Sequence, residues 1–145
     1  MLGAIGVLAS LIYLAQQIRQ NNRWLRQQAF QLGTNEVRRW AAHFAESTEN
    51  SALFIRGQQD FASLSPAERL QFTMMVFEIC SVWGTYQEYN REDLLGLRDS
   101  AEQSISSWVR QGWFVPWYQV NSYMFSENFR AFVQELIDKA RPSDH

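Results

Sequence analysis

The chain has 145 residues, 46% of them hydrophobic and 19% charged, with a formal net charge of −2. That is one domain's worth of sequence, too apolar for disorder and long enough to bury a modest core. The balance argues against nucleic acid as a partner, because the basic residues, all arginines except Lys139, are scattered without a block or recognition motif, and the lone Cys80 excludes an internal disulfide framework.

The first fifteen residues carry no charged side chain, and only Ser10 and Tyr13 interrupt them with polar groups before Gln16, Gln17, Ile18 and Arg19. As a helix, residues 2–18 would reach about 25 Å at ~1.5 Å per residue, a little short of a hydrocarbon layer of ~30 Å. The expectation is a membrane anchor or short transmembrane helix over residues 1–18, with Leu2, Ile5, Leu8, Leu11 and Ile12 as the lipid-facing residues. A secretory signal fits poorly, since the basic residues follow the apolar run instead of preceding it. Arg19, Arg23 and Arg26 recur at helical spacing, with no acid before Glu36. The positive-inside rule then places the body of the chain in the cytoplasm, and Trp24 between arginines suits a headgroup anchor. The competing reading is an ordinary solvated face with one docked aromatic.

Three prolines and no strong alternation leave long stretches that read as helices. The first is expected from Leu2 to about Thr48, hinged near Gly33-Thr34-Asn35, with residues 19–50 forming a stalk that enters the bundle. Val37, Trp40, Ala41 and Phe44 give it a core-facing stripe. Residues 51–57 read as a short helix stopped by Gly57. Ser65-Pro66-Ala67-Glu68 is a capping box with proline at the first helical position. The helix it opens, to about Asn90, is apolar almost all round, with Leu70, Met74 and Phe77 on one face, so it is expected to be central and surrounded. Gly84 would admit a close neighbour. A further helix starts at Glu92 or Asp93 and closes at Gly112. Residues 112–125 then pack six aromatics around Pro116, and Ser126 caps a last helix with Phe129, Phe132, Val133, Leu136 and Ile137 on its apolar face.

Chemistry-bearing constellations are thin. His43 and Glu46 have i, i+3 spacing but in the reverse order to the Glu-x-x-His of diiron bundles, and His145 stands alone at the end. Glu78, set in an apolar helix, needs a donor, with Arg38, Arg39 or Arg110 as candidates and Glu88 ten residues on. Cys80 lies in the apolar run FTMMVFEICSVW and reads as a buried, inert thiol. No phosphate loop, dinucleotide turn, nucleophile elbow or zinc-protease motif occurs. The expectation is no enzyme, no cofactor, no metal and no catalytic residue. The aromatic segment 113–125 is the candidate docking surface, for a membrane interface or a partner protein, against the alternative that it closes the bundle.

Three stretches carry a resemblance. SLIYLAQQIRQNN at residues 10–22, RGQQDFASLSPAERLQF at 56–72 and WYQVNSYMFSENFRAFVQELI at 117–137 together resemble an uncharacterised bacterial helical family with an amino-terminal apolar segment and an SLIYLA-x-QIR-x-N signature. The resemblance implies a helical, membrane-associated protein and brings no catalytic residues. The combined reading is all-α: a small helical bundle, completed by residues 51–145, on a long amino-terminal helix that anchors it. It would act as a non-catalytic accessory or scaffolding protein at the bacterial inner membrane, facing the cytoplasm, with lipid and a larger membrane complex, or itself, as partners. The alternatives are a soluble homo-oligomeric bundle assembled through Leu2–Ile18, and a small apolar-ligand sensor with a pocket among Met74, Phe77, Trp83 and Trp108.

Overall fold

The structure, a computed structural model, describes residues 2–89 and 97–140. All secondary structure among them is helical: α1 (Leu2–Ala45), α2 (Thr48–Gln59), α3 (Pro66–Tyr89), α4 (Leu97–Gln111), α5 (Phe114–Asn121) and α6 (Glu127–Ala140), with single 3-10 turns at Phe61–Ser63 and Ser122–Met124. The all-α expectation therefore holds. Packing divides the chain into two units, Met1–Asn35 and Glu36–His145.

The second unit is a helical body around one core. Packing joins α3 to α2, α4 and α6, while α4 also packs on α5 and most extensively on α6. Phe72, Val76, Ile79 and Cys80 of α3 are sealed from solvent, together with Ile105 of α4, Phe114 of α5 and Val133 of α6. Each such side chain contributes about 1.5–3 kcal/mol of burial. Leu70 and Met74 are exposed, however, so α3 is packed on several sides but not surrounded. Its apolar composition overstates its burial because no element covers that face among the described residues.

The local signals explain where the helices begin. Ser65 Oγ accepts from the Glu68 amide at 3.3 Å, and Glu68 Oε2 accepts from the Ser65 amide at 2.9 Å, which is the reciprocal capping box. Ser47 and Ser126 cap α2 and α6 by accepting from the amides of Asn50 and Phe129. Gly112, at φ +84°, ends α4 in the left-handed region that favours glycine. Pro116 sits in the first turn of α5, where its missing N–H leaves no helical bond broken.

Two glycines are places of close approach. A Cβ on Gly84 would lie 3.4 Å from the Phe129 ring, as a helix neighbour there requires. Gly57, read from sequence as a stop, instead lies inside α2, which continues to Gln59. A Cβ there would come within 2.2 Å of the Phe72 ring, so glycine is needed for α2 to meet α3. Helix α1 runs through Gly33-Thr34-Asn35 without a break in its helical assignment. The expected start of α4 at Glu92 or Asp93 lies outside the described residues.

Candidate functional site

The first unit holds the most unusual surface of the molecule. Val7, Leu11, Ile12, Leu14, Ile18, Trp24, Leu25 and Leu32 each keep more than half of their surface open to solvent. Soluble helices normally turn such residues onto a core of their own chain, and a concentration of exposed ones marks an interaction surface. Arg19, Arg23 and Arg26 share the same helix and are also exposed.

Among the described residues, no helix is long and apolar enough to cross a membrane. The short transmembrane helix expected over residues 1–18 is therefore not found. Gln16, Gln17 and Arg19 enter before an apolar run of crossing length has accumulated. Of the five residues expected to face lipid, Leu11 and Ile12 are exposed. The side chains of Leu2, Ile5 and Leu8 lie outside the described residues.

The aromatic segment expected to offer a docking surface mostly closes the body. Phe114, Trp117, Tyr118 and Phe125 are buried. Phe114 stacks on Tyr118 at 5.6 Å, Trp113 lies 5.2 Å from Trp108, and Phe125 meets Phe129 at 5.1 Å. Trp117 Nε1 donates to Thr73 Oγ1 at 3.3 Å, which satisfies a buried indole. Burial pushes the Tyr118 hydroxyl up to about 12. Of the large hydrophobic side chains of this stretch, Tyr123 and Val120 stand well out in solvent.

The four residues of the alternative sensor pocket, Met74, Phe77, Trp83 and Trp108, all lie within the helical body. Trp83 packs on Trp108 at 5.5 Å, Phe77 on Phe125 at 5.5 Å, and Met74 is exposed. The rings spend their faces on each other.

Glu78 finds its partners on α1, within the body. Arg39 Nε lies 3.7 Å from Glu78 Oε1 and His43 Nε2 lies 3.5 Å from Glu78 Oε2, while Arg39 also pairs with Glu36. Arg39 was among the expected donors; His43 was not. The partly exposed cluster is worth about 1 kcal/mol or less per pair. Its sequence trace was faint, because His43 and Glu78 lie on separate helices with nothing to announce their meeting. A carboxylate beside an imidazole can orient a general base, yet among the described residues no serine, threonine or cysteine is hydrogen-bonded to the His43 ring. No group of three metal-ligating side chains converges among them. The Cys80 thiol is buried and its pKa is raised by that burial, which keeps it protonated. Glu88's side chain and His145 lie outside the described residues.

Among the described residues, the exposed apolar face of α1 is thus the candidate interaction surface. Compared with known proteins, the chain matches no family model, no curated protein and no solved structure.

Proposed function

We propose that the protein is a non-catalytic accessory or scaffolding protein, seated on the cytoplasmic face of the bacterial inner membrane by α1 and docking its helical body on a larger membrane complex. One observation carries this reading: Val7, Leu11, Ile12, Leu14 and Ile18 stand in solvent on a helix that then presents Arg19, Arg23 and Arg26. Burying five such side chains is worth on the order of 10 kcal/mol before ordering costs. Each arginine near an anionic leaflet adds about 1 kcal/mol. With no crossing helix among the described residues, the seat is interfacial, one leaflet deep. The resemblance of residues 10–22, 56–72 and 117–137 to the bacterial helical family supports the same placement.

The test is flotation of the full chain with vesicles containing an anionic phospholipid, beside carbonate extraction of native membranes. The protein is expected to float, to lose most of its binding when Leu11→Asp and Ile12→Asp are combined, and to leave membranes in alkaline carbonate. Failure of the wild-type chain to float refutes the membrane seat. Resistance to carbonate would mean insertion deeper than an interfacial helix allows.

A further inference from the structure

The exposed apolar residues of α1 are not spread evenly around the helix. Leu11, Ile18, Leu25 and Leu32 follow one another at intervals of seven, with Val7 and Leu14 three or four residues away on the same stripe. In heptad terms, residues 11, 18, 25 and 32 are a positions and residues 7, 14, 21 and 28 are d positions. On a straight helix these a positions drift by about 20° per heptad, so they mark a narrow seam with left-handed supercoil.

Three further observations say what covers this seam. Arg19 and Arg26 fall at b and Arg23 at f, the positions that point away from a paired helix. No charged residue stands at a, d, e or g between residues 11 and 32, so a second copy meets no like charge. In addition, a shallow depression on the helix is lined by Leu14, Gln17, Ile18, Gln20, Asn21 and Trp24. Leu14, Gln17, Ile18 and Asn21 are the d, g, a and d residues that form the four-cornered hole for an a-position knob from a parallel partner.

We propose that two copies of this chain pair through residues 11–32 of α1 as a short, parallel, two-stranded coiled coil. The orientation follows from the polar layers. In parallel register Asn21 meets Asn21 and Gln28 meets Gln28 of the second copy, while Leu11, Ile18, Leu25 and Leu32 meet their own kind. The two antiparallel registers with greatest overlap set Asn21 against Ile18 or Leu25 and Gln28 against Leu11 or Ile18. Those arrangements bury an amide against a hydrocarbon side chain, at a cost that matched amides avoid. Pairing requires no lipid, so it stands or falls apart from the membrane seat.

Single-cysteine cross-linking of the full chain in lipid-free buffer tests it, because the one native thiol, Cys80, is buried. Ile18→Cys and Leu25→Cys are each expected to form disulfide-linked dimers under mild oxidation at least about tenfold faster than Arg23→Cys, whose position points outward. Sedimentation is expected to give a dimer for the wild-type chain and a monomer for the double variant Ile18→Asp, Leu25→Asp. Equal cross-linking at all three positions, or none at residues 18 and 25, overturns the proposal. So does a wild-type monomer, including one that binds vesicles without cross-linking, since the bilayer then occupies the seam.

Discussion

Helices α1 and α3 are both long and both apolar, yet they use that character in opposite ways. Along α3, Phe72, Val76, Ile79 and Cys80 are sealed by α2, α4 and α6. Along residues 7–32 of α1, comparable side chains face solvent within a unit whose only described element is that helix. Apolar content alone does not decide burial; the neighbours the chain supplies do. The body consumes its hydrophobic surface in folding, while α1 keeps its own exposed to solvent.

Substitutions can break this comparison, and the largest effect is expected in the body. Phe72→Ala removes a fully buried ring that touches Phe54, Phe61 and Trp113, and should cost about 3–5 kcal/mol in chemical denaturation. Gly57→Ala forces a methyl toward the same ring and should cost about 1–3 kcal/mol unless α2 and α3 separate. Ser65→Ala opens the capping box of α3 at about 1 kcal/mol. Along the seam, Leu25→Asp should change the unfolding free energy of the body by no more than about 0.5 kcal/mol. A loss there comparable to that of Phe72→Ala would erase the distinction between the two helices.

Acid provides a sharper probe of the same cap. The Ser65 amide, then the Arg56 guanidinium at 2.7 Å, hold the Glu68 carboxyl down at about 2 from a usual 4.5. A carboxylate favoured in the folded state stabilises it fully above the unfolded pKa and loses that contribution as pH falls through the folded one. The cap's contribution should therefore decline from about pH 4.5 toward pH 2, followed by thermal melting. Glu68→Gln should remove this part of the acid dependence, leaving melting between about pH 4.5 and pH 2 less pH-sensitive than in the wild type.

Much of the body was legible in the sequence, because capping chemistry is local. Ser65 with Glu68, Ser126 before α6, and Gly112 after α4 each act within a turn of where they stand. The apolar spacing of α6 likewise gave its buried face correctly. Gly57 was misread because a helix stop and a close crossing ask for the same residue; only the Phe72 ring distinguishes them. The aromatic segment was ambiguous for a related reason. Phe114, Trp117 and Tyr118 suit an interface or a core equally, and their partners lie on other helices. On α1 the uncharged, largely apolar run before Arg19 is the stronger local signal. The interval of seven continues past it through Leu25 and Leu32, among glutamines and arginines that lower the local hydropathy.

The most direct measurement follows the full-length Leu11→Asp, Ile18→Asp variant by thermal unfolding and vesicle flotation. Near-ultraviolet circular dichroism, dominated by the body's ring cluster, reports the melt. Unchanged melting of the body, within about 2 °C, together with loss of vesicle binding is the expected result. Melting that falls by about 10 °C would show that these side chains belong to the fold of their own chain, and would contradict the assignment of α1 as an outward-facing docking element.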